Sequence, residues 1–388
     1  MKKLPKISLF LTTLFFAVIF SLTYSYASHP KETVFLSPLP TENKSKSNMI
    51  LIKSINTNNF QTLPEKTNIL LLGLDARKGD ASPRCDAIHM ITIDNTQGII
   101  TITSVPRGTI VNTPGVDKES DYISNACHYM GIKYAVDLIS KITGITPDYT
   151  VKVGFSQTLG ILRMLELPTT PALEFLRNRS LPYGDNQRSH DQALFIKDII
   201  AKHASDISSL PQPLRYILYQ MVDTDMPYNT AETIFDNLAK EGTFKNPGLI
   251  TLVTKPDNSY NLQNLHFDPD IYASGDWMKN TDYENYQKDL ETYLDNLLLK
   301  SEDYIASGNV QDSFKLLNVP FSQQLWLQID ATGKRNDYHY RLLTDYVLSN
   351  PDKTQNSFLV EDFVKEMKTE KQFDFETKGE NLLKTLHV

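Results

Sequence analysis

The chain has 388 residues, 40% hydrophobic and 22% charged, with 16 glycines, 20 prolines and 2 cysteines. That composition suits a folded protein of two to three domains and excludes collagen-like and low-complexity architectures, a disulfide-rich scaffold and a four-thiolate zinc site. The net charge of −7 speaks against a dedicated nucleic-acid binder, which carries a basic face. From His266 onward there are 22 acidic and 13 basic residues, a net of −9, so the part before it is slightly basic.

Lys2, Lys3 and Lys6 precede an uncharged run from Ile7 to Ser28. It is long enough for a bilayer span of ~20 residues, and the lysines favour an orientation with the N-terminus inside. Ser25-Tyr26-Ala27 also offers a small-x-small cleavage site, so residues 1–28 are a signal-anchor or a cleaved signal peptide. Either reading puts the rest of the chain on the extracytoplasmic face, held by a single span or released. ATP is not at hand there, and any group transfer needs a preactivated substrate.

Residues 29–66 are rich in Ser, Thr, Asn, Pro and Lys and read as a linker, with a short strand at Met49 to Ile55. Ile69 to Leu74 is an apolar run ending at Asp75, the pattern of a buried strand. Asp86 to Asp94 and Ile99 to Val105 alternate around Asn95-Thr96-Gln97-Gly98, which predicts a hairpin. Ser124 or Asn125 caps a helix predicted to run to Thr143, with Gly144 as its stop. A strand at Tyr149 to Phe155 follows, then helical patterns near 156–166, 171–179, 188–204, 212–222 and 230–241, and a last strand at Ile250 to Thr254. The fold class is α/β (α+β), a central mixed sheet flanked by helices. Beyond residue 266 helical patterns dominate, at 282–306, 310–318, 339–349, 358–370 and 377–387. The corner at Ala306 to Asp312 resembles that of a tetratricopeptide repeat, without a second copy at the required period. The boundaries are therefore 1–28, 29–66, 67–265 and an acidic helical domain at 266–388 of unassigned role.

Four segments carry the chemistry. Asp75 ends a buried strand, a favoured position for a ligand site. Arg84-Cys85-Asp86 opens the next strand, and period-two geometry puts Arg84 and Asp86 on one face. Ser104-Val105-Pro106-Arg107 ends the hairpin, with the proline stopping the ladder. Arg177-Asn178-Arg179 is followed by Asp185, Arg188 and Gln192, the last two sharing a helix face at i, i+4. Any one of these alone reads as a solvated arginine or a turn-capping aspartate. Together, carboxylates and arginine forks at segment ends suit a phosphorylated anion with a hard metal such as Mg²⁺.

The runs NILLLGLDAR, RCDAIHMITID and GIITITSVPRGT resemble the opening of the LytR–CpsA–Psr domain. ISNACHYMG resembles that family's helix start, and FLRNR with GDNQRSHDQALFIKDI its arginine-rich helix, so the likeness covers residues 66–262. The resemblance implies an extracytoplasmic enzyme that moves a glycopolymer, such as teichoic acid or capsule, from a polyprenyl-pyrophosphate lipid to peptidoglycan. It forms a phosphodiester with help from Mg²⁺. By this likeness Asp75 and Asp86 hold the metal. Arg84, Arg107, Arg177, Arg179, Arg188 and Gln192 bind the pyrophosphate. Asp185 orients the arginines or assists proton removal, and Arg77 also matches the motif. The lipid tail is expected in an apolar tunnel between sheet and helices. Cys85 and Cys127 flank the same site, either as a disulfide or as two buried thiols.

The sequence departs from the family pattern at Gly108, Asp191 and Ile132, and the stretch between Phe155 and Arg177 is short. Two other readings therefore stand beside the transferase. One is a pyrophosphatase with water as acceptor. The other is a non-catalytic protein that holds polyprenyl phosphate. A transcriptional regulator fits an exported, acidic chain poorly.

Overall fold

The computed structural model describes residues 63–76, 80–164, 167–177, 183–210, 212–220, 222–268 and 281–386. The leader, the strand expected at Met49 to Ile55, and the candidate residues Arg77 and Arg179 lie outside them. Among the described residues no helix is long and apolar enough to cross a membrane.

Six strands form one mixed sheet: β1 (Lys66–Leu74), β2 (Cys85–Asp94), β3 (Ile99–Ser104), β4 (Tyr149–Gly154), β5 (Asp223–Thr224) and β6 (Ile250–Thr254). Their order across the sheet is β5-β4-β1-β2-β3-β6. β1 pairs antiparallel with β2 and parallel with β4, while β3 pairs antiparallel with β2 and parallel with β6. This topology has one consequence for function. The C-terminal ends of β1, β3, β4 and β6 and the start of β2 all fall on the same edge, the edge where open α/β sheets bind ligands.

Local chemistry explains the elements. β2 and β3 are rich in Ile and Thr, which suit a pleated surface. Their turn is fixed by the Asp94 carboxylate, which accepts from the Thr96 and Gln97 backbone N–H groups at 3.0 and 2.9 Å. Gly98 takes φ 64° there, a left-handed angle that glycine adopts without strain. β1 is almost continuously apolar because both its faces are covered.

On one face lie helices α1 (Ile123–Met130) and α2 (Ile132–Thr143), packed over Leu70, Leu72, Ile88 and Met90. A single helix to Thr143 is expected from the sequence, yet the helix breaks at Gly131, which has φ 82°. The Gly131 N–H still bonds the Cys127 carbonyl before the chain restarts. The other face is covered by α5 (Asp185–Ser209) and α7 (Tyr228–Lys240), over Ile69, Ile93, Ile100 and Ile102. Between them in sequence come α3 (Phe155–Met164), α4 (Thr169–Arg177) and α6 (Gln212–Gln220). Phe155, Leu162, Leu173, Phe175 and Phe195 gather into a smaller cluster beside the sheet, closed by Phe267.

Residues beyond 280 form α8 (Thr281–Ala306), α9 (Val310–Ser322), α10 (Thr332–Ser349), α11 (Lys353–Thr369) and α12 (Phe373–Leu386). They share a core of Leu290, Leu294, Leu298, Trp326, Leu342 and Phe363. α10 and α11 start earlier than periodicity suggests because their first turns are polar; the Asp352 carboxylate caps α11 by accepting from the Gln355 N–H at 3.0 Å.

Candidate functional site

Asp75 follows β1 directly. Its backbone N–H donates to the Arg84 carbonyl at 3.1 Å, closing the β1–β2 loop, and its carboxylate stands 4.0 Å from the half-exposed Arg84 guanidinium.

Asp86 owes its direction to a β-bulge. Gly73 pairs with Ala87 and Leu74 with Cys85, so Asp86 is the extra residue in β2. Simple alternation would send Asp86 toward the α1/α2 face with Ile88 and Met90. Instead it lines the cavity on the other side of the sheet with Ala87 and His89. Gly73 permits the bulge: a Cβ there would stand 2.8 Å from the Ala87 Cβ. The bulge is anchored by a disulfide between Cys85 and Cys127, with Cα atoms 5.9 Å apart, joining β2 to α1.

Two arginines meet Asp86 from different elements. Arg107 follows Pro106 at the end of β3 and places Nη1 2.6 Å from Asp86 Oδ1. Arg188, in the first turns of α5, places Nη2 3.2 Å from Asp86 Oδ2 and is almost fully buried. Arg188 Nε and Gln192 Nε2 both donate to the Leu176 carbonyl, at 3.2 and 2.9 Å. That carbonyl sits in the last turn of α4, where the helix leaves acceptors without partners of its own. The i, i+4 pair thus ties α5 to the end of α4. Arg177, exposed in the same last turn, also lines the cavity.

The residues surround two adjoining cavities. One, of about 380 Å³, has an apolar wall that includes Leu71, Val151, Leu162, Phe195 and Ile199, with Asp75, Asp86, Arg177, Arg188 and Gln192 among its polar lining. The other, of about 840 Å³, is lined by Arg84, Arg107, Asp185, Asn125 and Tyr260 among others. Asp86 belongs to the first and Arg107 to the second, so their ion pair stands between the two. Among the described residues no group of three or more His, Cys, Asp and Glu side chains could hold a metal ion.

The departures from the family pattern acquire physical reasons. A Cβ on Gly108 would lie 2.9 Å from Asp185 Oδ2, so the glycine leaves room for the Asp185 carboxylate at the cleft. Asp191 does not line either cavity. It accepts from Gln187 Nε2 at 2.8 Å, and burial raises its pKa to about 6 despite that bond. Gln187 in turn grips the backbone of Gln263 through both ends of its amide, at 2.8 and 2.9 Å. Asp191 therefore holds the Gln187 amide that fastens Gln263 to α5.

His89 of β2 is a further residue of the site. It lines the apolar cavity, fully buried, with Nδ1 2.9 Å from Ser104 Oγ. Burial lowers its pKa to about 4, against a smaller upward pull from the Gln192 side chain. Its place between Ile88 and Met90 was the available signal. Tyr183 and Tyr260, stacked with ring centroids 4.8 Å apart beside the open cleft, gave none, because they are far apart in sequence.

Residues 31–159 match the model of the LytR_cpsA_psr family. This third of the chain is similar to that family. Over 134 residues it is 30% identical to the polyisoprenyl-teichoic acid–peptidoglycan teichoic acid transferase TagU of Bacillus cereus (strain AH820), covering 34% of this chain and 43% of that protein. It is 29% identical over 134 residues to the TagU of Bacillus mycoides (strain KBAB4), with the same coverage. The chain thus spans less than half the length of these curated relatives. Similar solved structures include TagT bound to LI-WTA, at 19% identity and TM-score 0.40, covering 55% of this chain and 87% of that one. Another is Bacillus subtilis TagT, at 17% identity and TM-score 0.38, covering 60% and 94%. A third is TagT with bound octaprenyl pyrophosphate lipid, at 17% identity and TM-score 0.37, covering 55% and 86%. The LytR_cpsA_psr match contains Asp75, Asp86 and Arg107. Asp185, Arg188 and Gln192 lie beyond it, and their place at the site rests on geometry.

Proposed function

We propose that this protein transfers a glycopolymer from a polyprenyl-pyrophosphate carrier to peptidoglycan at the outer face of the cell membrane. The observation that carries this reading is the meeting of Asp86, Arg107 and Arg188 between an apolar cavity and an open polar cleft. Such a boundary matches a substrate with a hydrocarbon tail, a diphosphate and a glycan in that order. The apolar cavity takes the tail, the guanidiniums take the phosphates, and the polar cleft leaves space for the sugars.

In the reaction an acceptor hydroxyl oxygen attacks the phosphorus that bears the glycan. The P–O bond to the bridging oxygen breaks, and polyprenyl monophosphate leaves. Arg107 and Arg188 stabilise the charge that gathers on the departing phosphate, acting by position and electrostatics. Asp185, on the cleft side beside Gly108, is placed to take the hydroxyl proton. Asp75 and Asp86 offer hard oxygen donors on one cavity, which fits Mg²⁺ whose remaining ligands are substrate oxygens and water. Both Asp86 oxygens face guanidiniums, Oδ1 at 2.6 Å from Arg107 Nη1 and Oδ2 at 3.2 Å from Arg188 Nη2, so an ion would share them through their remaining lone pairs. When bound, the ion would offset diphosphate charge. The uncharged N-terminal run is the membrane tether or export signal in this reading.

The test incubates the purified full chain with a lipid-linked pyrophosphate glycan and a peptidoglycan fragment. Transfer of the glycan-phosphate to the fragment supports the proposal. Release of phosphate without transfer indicates a pyrophosphatase, and tight binding without turnover a carrier protein; either result rejects it.

A further inference from the structure

The C-terminal helices, which lie outside the LytR_cpsA_psr match, reach into the site described above. Their point of entry is the 3₁₀ turn Leu325–Gln328. Gln328 is completely buried, yet every polar group of its amide is satisfied. Its Nε2 donates to Ser156 Oγ at 2.8 Å and points to the Ala76 carbonyl at 3.4 Å. Its Oε1 accepts from the Tyr286 hydroxyl, and its backbone carbonyl accepts from Gln287 Nε2 at 2.8 Å.

Each partner has a place in the site. Ala76 immediately follows Asp75. Ser156 is in the first turn of α3, whose Phe155, Thr158 and Leu162 wall the apolar cavity. Tyr286 of α8 packs edge-on against Phe155, with centroids 6.4 Å apart. The grip is repeated nearby. Gln323 donates to the Asp80 carbonyl at the far side of the same β1–β2 loop. Arg163 of α3 bonds the Leu327 carbonyl and pairs with Asp330 at 3.1 Å. A buried amide satisfied at both ends, as in Gln328, fixes one arrangement, because alternatives leave a desolvated polar group unmade.

We propose that the C-terminal helices clamp the reaction centre, with Gln328 as the positioning residue that fixes the Asp75 end of the β1–β2 loop and the start of α3. Its functional consequence rests on the pyrophosphate reading above. Gln328 touches no substrate; it acts through Asp75 and the cavity wall.

The test uses the full chain, with farnesyl pyrophosphate as probe, and two variants that cut the same bond from opposite sides, Gln328→Met and Ser156→Ala. Hydrogen–deuterium exchange across residues 74–85 reports the clamp, and calorimetric titration reports its effect on the site. Each variant is expected to raise exchange in that segment several-fold and weaken the probe about tenfold, the double variant being no worse than the more impaired single one. Exposed Leu348→Ala, on the same helical region, should change neither. Unchanged exchange, or raised exchange with unchanged affinity, overturns the proposal. A wild-type chain that binds no probe overturns the pyrophosphate reading instead, and the exchange measurement still decides the clamp.

Discussion

Asp86 is the residue on which the site turns. It lies on a strand whose alternation would hide it against α1 and α2, and a single extra residue opposite Gly73 brings it to the cavity. There it meets two guanidiniums from separate elements. Removing Arg107 leaves a carboxylate with half its compensation and a phosphate with one contact fewer. Losing one preorganised donor costs ~10²–10³ in rate, so Arg107→Ala should lower glycan transfer at least a hundredfold; an unaltered transfer rate would contradict its role. His89 offers a different check. Its pKa is about 4 in the folded chain against 6.5 for an ordinary histidine. Between those values the unfolded chain binds the extra proton, so stability gained from His89 rises with pH and is complete above 6.5. The stability difference between wild type and His89→Gln, from urea titrations, should grow from pH 4 to 6.5 and then level. A flat difference would place the ring in water.

At the scale of elements, much was legible. The apolar run into Asp75, the alternation across Asn95 to Gly98 and the final strand at Ile250 give most of the sheet, because burial on two faces or one leaves a direct trace in hydrophobic order. Arg188 and Gln192 were legible as one helix face, since i, i+4 spacing is local. The bulge was not, because register depends on the partner strand. The break at Gly131 was not, because glycine is tolerated in a helical pattern and the left-handed angle follows from the packing of α1 and α2 separately. Strand and helix meet covalently at Cys85–Cys127, whose closure spans 42 residues of separation. Bridges of this kind contribute ~2–4 kcal/mol. Replacing both cysteines with alanine should lower unfolding free energy by about that amount, and equal stability with and without reductant would show that the bond does not constrain the chain. The same variant should weaken pyrophosphate binding, because the bridge abuts Asp86.

Across the whole molecule, charge and architecture divide the work. The slightly basic part holds the arginines in a pocket that net charge hides, while the acidic helices lie beyond the family match and pack against α3 through Gln328 and Arg163. A helical region was legible from periodicity, but its contact with the Asp75 loop was not, since Gln328 and Ala76 are 252 positions apart. The central claim is that the cavity, carboxylates and guanidiniums form one diphosphate site with an apolar tail channel. The most direct measurement is the affinity of the full chain for farnesyl pyrophosphate beside farnesol, for wild type and Arg188→Ala. Binding of the pyrophosphate but not the alcohol, weakened at least tenfold by the substitution, is the predicted result. Equal binding of both compounds, or indifference to the loss of Arg188, would contradict the account.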